Sequence, residues 1–358
     1  MSYDFVIVGA GLSGATAARV LTDAGKKVLV VERRKVVGGN CRDSRHRSGI
    51  MFNLHGPHYF RTNSERIWKF ANRFANFRPW AAEVMIRVDY KLRPWPLRRE
   101  DIGDFVEKTR LSTNFEEAML AQLPRELYAS HVRGYTQKQW GTDPRNLDTS
   151  LAGRVDIRAN SDDRRLKTHK FQGLPVGGYT HWIMSMLDGI DVRCDQDGRG
   201  YLHEAPRVVY TGSIDEFFAY RLGHLRYRTQ RREYMYRADV AQYQPCVQVN
   251  LPADNTRAIR VIEWKHMIAP DKRPKFGTLL TWEYPGNAVS PDENEYPYPD
   301  ARNRSLYFGY TELAQRYPNV TFVGRLGRYQ YLDMDQAIGA ALKAATGLVE
   351  GTKLASAA

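Results

Sequence analysis

Gly9, Gly11 and Gly14 follow the apolar run Phe5-Val-Ile-Val8, and Glu32 closes a second apolar run, Val28-Leu-Val-Val31. Strand, glycine turn, helix, strand and terminal acid, in that order, are the fingerprint of a dinucleotide-binding unit. The glycines let the backbone approach a pyrophosphate. The helix N-terminus offers that anion free N–H groups and a positive dipole end. A carboxylate at Glu32 is placed to accept from a ribose hydroxyl, and Arg33 beside it to flank an adenosine. Arginine is the other residue type with chemical potential here. The stretch Arg226 to Arg237 alternates arginines with tyrosines in a strand-like pattern. Most such arginines are a solvated sheet face. A few gathered over phosphate groups make an anion clamp, because the guanidinium fork matches phosphate oxygens.

These residues need elements to hold them. Helix-forming residues span Ala15–Thr22, and a strand runs from Lys27 to Glu32. Gly38-Gly39-Asn40 closes a turn after it, and Gly56-Pro-His-Tyr-Phe60 reads as a second tight turn. Ile67, Trp68, Ala71 and Phe74 give Ser64–Phe77 helical spacing. Val84–Pro96 reads as a hairpin with Lys91 near its turn. Ile102 to about Trp140 is rich in Leu, Ala and Glu and reads as an inserted helical domain. Gln172–Tyr179 reads as a loop leading into a helix over Thr180–Leu187. Arg207–Tyr210 is a strand, and Ser213 with Glu216 has capping-box spacing. Period-2 stretches between Arg226 and Tyr284 predict an antiparallel sheet. A strand over Asn319–Gly324 and a helix over Asp333–Leu348 complete the chain, with a frayed tail at Thr352–Ala358. The fold class expected is α/β. A Rossmann-like dinucleotide domain comprises residues 1–80, 173–225 and 318–350. The helical insertion is 100–145, and an antiparallel β-sheet domain for the substrate takes 81–99, 146–172 and 226–317.

Composition narrows the function. The chain has 358 residues, 42% hydrophobic and 26% charged, as expected of about two globular domains. It holds no run of about 18 apolar residues, so no membrane span is expected. The first strand is expected to begin by Asp4, so no signal peptide is expected. Cys41, Cys194 and Cys246 are too few and too scattered for a disulfide framework or a metal cluster. The expectation is a reducing cytoplasm and no metal. The net charge of +13 suits nucleic acid, an anionic membrane surface or an anionic small ligand; the sequence carries no nucleic-acid motif or long basic block, and a phosphate-bearing substrate is expected.

Several further stretches, in order along nearly the whole chain, resemble the UDP-galactopyranose mutase family. They include Gly38-Gly-Asn40, Gly56-Pro-His-Tyr-Phe60, Gly134-Tyr-Thr-Gln-Lys-Gln-Trp-Gly141 and Gln172-Gly-Leu-Pro-Val-Gly-Gly-Tyr179. Tyr210-Thr-Gly-Ser-Ile-Asp215, Ile259-Arg-Val-Ile-Glu-Trp-Lys-His266 and Gly324-Arg-Leu-Gly-Arg-Tyr-Gln-Tyr-Leu-Asp-Met334 continue the series. The resemblance implies a flavoenzyme that interconverts pyranose and furanose forms of a nucleotide sugar, most simply UDP-galactose, for cell-wall polysaccharide biosynthesis. It implies a reduced FAD whose N5 attacks the anomeric carbon, forming an N5–sugar adduct as the nucleoside diphosphate leaves. NAD(P)H is the implied reductant, and a homodimer the implied assembly.

The resemblance also assigns residues. Gly9, Gly11, Gly14, Glu32, Arg33, Gly39 and Asn40 hold FAD. His58 lies beside flavin N5, Arg325 meets the flavin, and Asp333 and Met334 open a helix aimed at its pyrimidine ring. Arg154 and Arg260 clamp the diphosphate and, with His58, form the expected catalytic set. Tyr135, Trp140, Arg228, Tyr298 and Tyr331 contact the substrate. The family pattern breaks at Asp162–His169, where Arg164 or Arg165 replaces a tyrosine contact, with Arg165 the expected ligand. It also breaks at Arg257-Ala-Ile-Arg260, at Arg61 in place of a second histidine, and at Arg93-Pro-Trp-Pro-Leu-Arg98. These departures leave open another sugar, of the fucose or N-acetylhexosamine type, or another nucleotide. An amine-oxidase-like oxidoreductase and a non-catalytic nucleotide-sugar binder share parts of the pattern and also stay open.

Overall fold

The computed structural model describes residues 2–105, 111–158, 161, 163–253 and 255–351. The expected frayed tail, Asp162 and part of the helical insertion lie outside them.

Five short strands form a wholly parallel sheet. Their order is Asp191–Arg193, Val28–Val31, Phe5–Val8, Arg207–Tyr210 and Val320–Phe322. Phe5–Val8 and Val28–Val31 are buried at every position, which is why both read as unbroken apolar runs. Helix Leu12–Asp23 crosses one face and packs on the last helix, Met334–Val349, through small side chains such as Ala15, Ala18, Ala341 and Ala345. The sheet is therefore assembled from the beginning, middle and end of the chain.

The second sheet has seven strands: Tyr296–Pro297, Tyr227–Arg237, Thr278–Asn287, Arg260–Glu263, Gln248–Asn250, Val84–Val88 and Lys91–Trp95, in that spatial order. It is antiparallel except where Gln248–Asn250 runs parallel to Val84–Val88. A separate small sheet has the order Phe60–Thr62, Phe171–Pro175 and Phe77–Pro79. It corrects two expectations. Phe171–Pro175 is a strand rather than a loop, and the first surface helix is confined to Glu65–Asn72 because Phe77 pairs with Pro175.

The helical insertion is less regular than its composition suggests. It comprises Arg99–Ile102, Phe115–Leu120 and Arg125–Leu127, then a π-helical turn, Tyr128–Arg133, and the helix Gly134–Trp140. Pro124, whose nitrogen cannot donate, stands between the second and third pieces. The insertion has its own core around Phe115, Met119, Leu123 and Trp140, which also takes in Leu97, Leu151 and Tyr298. Ser213 precedes the short helix Ile214–Phe217, but its side chain caps no backbone N–H there. Its Oγ instead accepts from Asn294 Nδ2 at 2.8 Å, and Glu216 pairs with Arg33, so the expected capping box is absent. Among the described residues no helix is long and apolar enough to cross a membrane.

Candidate active site

The glycine turn forms one end of a continuous site. Gly9 has φ +99°, and a Cβ there would fall 2.2 Å from Thr211 Oγ1. Gly11 and Gly39 touch, so a Cβ on Gly39 would lie 2.8 Å from the Gly11 Cα. The two turns thus line a groove of about 190 Å³ together with Glu32, Arg33 and Asn40. Gly14 does not line it. A Cβ on Gly14 would lie 1.9 Å from the Gly9 carbonyl oxygen, so this glycine lets the helix press onto the turn. Glu32 is buried and accepts from the N–H groups of Ala10 at 2.7 Å and Arg34 at 2.9 Å. Arg33 donates to Glu216 at 2.7 Å. Asn40 donates to the Asn294 carbonyl at 3.0 Å. Gly11 caps helix Leu12–Asp23 without a side chain, which leaves the first N–H groups open to a ligand.

The groove opens into a larger cleft of about 570 Å³ between the three structural units, and Asn40, His58, Arg325 and Met334 line both. Arg325 is fixed there by the Leu332 carbonyl at 2.6 Å and the Glu295 carbonyl at 3.1 Å. His58 is held by its backbone, its N–H donating to Asn53 at 3.0 Å and its carbonyl accepting from Tyr179 at 2.8 Å. Its Nδ1 is buried and has no hydrogen-bond partner among the described residues. Burial, then the positive charge of Arg325, push the imidazole down to about 3, so it is neutral in ordinary buffers. Asp333 precedes the last helix, and its N–H donates to Gln336 Oε1 at 2.9 Å.

Two arginines face the cleft from opposite supports. Arg154 stacks on the Tyr331 ring at 3.4 Å, donates to the Tyr331 carbonyl and pairs with Asp333 at 3.1 Å. Arg61 holds the other Asp333 oxygen at 3.0 Å. Burial alone would raise the Asp333 pKa; the two arginines outweigh it and bring the carboxyl below its usual range. Arg260 pairs with Glu283, which is wholly buried. The chain of charges continues through Arg232, 2.9 Å from Glu283 and 2.7 Å from Glu295, to His55, 3.2 Å from Glu295. Burial would lower the Arg260 pKa, but Glu283 carries it well above its ordinary value. Tyr135 stands beside Arg260, and burial raises its pKa, so its hydroxyl stays a donor. Tyr296 and Tyr331 lie ring to ring, with centroids 5.4 Å apart.

The cleft therefore gathers Arg154, Arg260, His58, Tyr135, Trp140, Tyr331, Arg325, Asp333, Met334 and Asn40 in one lining. Three expected substrate contacts lie outside it. Arg165 is an exposed arginine paired with Asp163 at 2.5 Å; the cleft takes Leu166 and Lys167 from that segment instead. Arg228 is buried behind the wall, donating to the carbonyls of Gln139 at 2.7 Å and Lys138 at 3.0 Å. Tyr298 is packed edge-on against Trp140 in the helical core, and Tyr296 takes the place in the cleft. Sequence reading missed Tyr296, Lys167 and His131. Tyr296 and Tyr298 share one Tyr-Pro-Tyr-Pro run, and nothing in it tells which ring faces inward.

The comparisons with known proteins agree with this geometry. Residues 130–331 match the family model described as UDP-galactopyranose mutase, and residues 7–74 match that of an NAD(P)-binding Rossmann-like domain. A probable UDP-galactopyranose mutase of Klebsiella pneumoniae is 33% identical, covering 96% of this chain and 94% of that protein. The chain belongs to the UDP-galactopyranose mutase family. A second relative, the dTDP-fucopyranose mutase of Escherichia coli, is 32% identical across 97% of this chain and 99% of its own. The crystal structure of a reduced UDP-galactopyranose mutase shares the fold, with a TM-score of 0.77, 15% identity and coverage of 99% and 98% of the two chains. This mutase-family chain is thus a flavoenzyme of the isomerase type. Its residues fit a flavin nucleotide: the cradle has no space for a Cβ on Gly9 or Gly39, and among the described residues His58 Nδ1 has no partner where groove meets cleft.

Proposed function

We propose that the protein is an FAD-dependent mutase interconverting the pyranose and furanose forms of a nucleotide sugar, UDP-galactose first. The observation that carries this reading is the continuity of the glycine groove with a cleft that bears Arg154 and Arg260. In it, Gly9, Gly11, Gly39, Glu32 and Arg33 would hold the adenosine diphosphate half of FAD, and Asn40, His58, Arg325 and Met334, which line both spaces, would hold its flavin end. When bound and reduced, the flavin supplies the nucleophile for the anomeric carbon.

The chain supplies position and charge. Arg154 and Arg260 bracket the diphosphate and neutralise the charge that grows on it as the sugar bond breaks. Tyr135, Tyr296 and Tyr331 donate hydroxyl hydrogen bonds to the same group without adding charge. Trp140 closes the apolar wall. His58 stays neutral, so the site keeps its cations for the phosphates. The N-terminus of Met334–Val349 turns its positive end toward the cleft, where negative charge on a reduced ring is favoured. NAD(P)H as reductant, a homodimer and a cytoplasmic setting complete the proposal. A dTDP-linked 6-deoxysugar is the second reading, because the fucopyranose mutase is as similar as the galactose enzyme.

The test is turnover of UDP-galactofuranose by reduced enzyme. Arg154→Ala and Arg260→Ala are expected to lose at least about 100-fold in kcat/KM with flavin content intact, the size of effect seen when one fixed donor is removed from a developing anion. Wild-type rates in both would remove the clamp.

A further inference from the structure

The flavin and diphosphate contacts leave His131 without a role. It lies in the π-helical turn Tyr128–Arg133, is 9% exposed, and lines the cleft beside Trp95, Phe115 and Val132. Such turns are rare and are frequently found at functional sites. The hydroxyl of Ser130 settles which ring nitrogen is protonated. Ser130 Oγ lies 2.6 Å from the Glu126 carbonyl, so its one proton is donated there. The same oxygen lies 2.8 Å from His131 Nδ1 and can only accept, so Nδ1 carries the imidazole proton. Burial lowers the ring's pKa and keeps it neutral. Nε2 therefore carries the ring's lone pair, on a residue that lines the cleft.

Its position indicates what it meets. Asn40, His58, Arg325 and Met334 mark the end of the cleft that meets the glycine groove, and among the described residues none of the helical insertion lines that groove. A nucleotide sugar with its sugar at that junction and its diphosphate on Arg154 and Arg260 carries its base to the aromatic helical wall. We infer that His131 is a specificity-determining residue whose Nε2 accepts from the imide N–H of a uracil or thymine base. Cytosine presents a lone pair at that ring position, and two lone pairs facing each other repel. The thymine methyl lies two ring positions away, so His131 selects both bases over cytosine without choosing between them. This inference rests on the nucleotide-sugar reading above.

Calorimetric binding to the flavin-loaded enzyme tests it, with UDP, dTDP, CDP and N3-methyl-UDP as probes. UDP and dTDP are expected to bind within a few-fold of each other, and CDP and N3-methyl-UDP roughly tenfold or more weakly. His131→Phe keeps an aromatic ring and removes the acceptor, so its UDP affinity should fall to that for CDP with flavin content unchanged. Wild-type enzyme that binds N3-methyl-UDP as tightly as UDP would overturn the assignment. So would a His131→Phe variant with the wild-type preference for UDP over CDP. If none of the four nucleotides binds, the nucleotide-sugar reading itself fails, a separate result.

Discussion

Asp333 holds two arginines at once, and that makes the clamp asymmetric. Arg260 is locked by the buried Glu283, whereas Arg154 rests on a carboxylate that is about one-third exposed and shared with Arg61. In the proposed clamp a diphosphate would draw Arg154 from Asp333, and Arg61 would keep that acid compensated. Removing the competing charge should help the ligand. Asp333→Asn is expected to tighten UDP binding by about 3- to 10-fold, the worth of one partly exposed ion pair, as read by calorimetry. Unchanged or weaker binding would show that Asp333 does not compete. His58 supplies a pH signature. Its folded pKa, about 3, lies below the ordinary 6.5, so between these values the unfolded chain takes up a proton that the folded chain refuses. The stability tied to neutral His58 is complete above about pH 6.5 and is lost as pH falls through that window. His58→Gln should therefore make the acid limb of a Tm–pH profile shallower between pH 6.5 and 4. At this scale the sequence reveals Arg154, Arg260 and Arg325 through their strings. It cannot reveal that Arg228 turns back to the carbonyls of Lys138 and Gln139, because strand alternation does not say which face carries the ligand.

At the scale of elements, the dinucleotide unit is legible because each part has a local cause. Apolar runs buried on both faces make the strands, and the glycines answer specific close approaches. Gly14 shows the limit of that reading: its spacing is visible, but it serves helix packing and not the ligand. Gly14→Ala is expected to cost more than one ordinary cavity or cap mutation, since the methyl would meet the Gly9 carbonyl. The purified variant should carry little flavin by absorbance. Full flavin occupancy in Gly14→Ala would contradict the packing role. The helical insertion was legible only as a composition. Its broken pieces follow from Pro124 and from side chains such as Phe115 and Trp140 turning into a private core, which no helical period encodes. Phe171–Pro175 escaped for a related reason: Gly173 and Pro175 read as loop residues, yet the segment pairs on both sides with Phe60–Thr62 and Phe77–Pro79.

At the scale of the whole molecule, three units meet at one cleft, and each contributes a different chemistry. The parallel sheet brings the glycine groove and the N-terminus of Met334–Val349. The antiparallel sheet brings Arg260 on its buried chain of alternating charges. The insertion brings Tyr135, Trp140 and His131. The fold alone also suits an oxidase, because the groove would serve any flavin dinucleotide. In the proposed reading, Arg154 and Arg260 in the cleft distinguish a mutase, which would return its flavin to the starting state after each cycle. The direct measurement is anaerobic turnover of UDP-galactofuranose by dithionite-reduced enzyme, with products separated by chromatography while the flavin spectrum is recorded. The account predicts many equivalents of UDP-galactopyranose per flavin and a spectrum that stays reduced throughout. No isomer from this or the dTDP-fucose substrate, or a net oxidised sugar product, would contradict it.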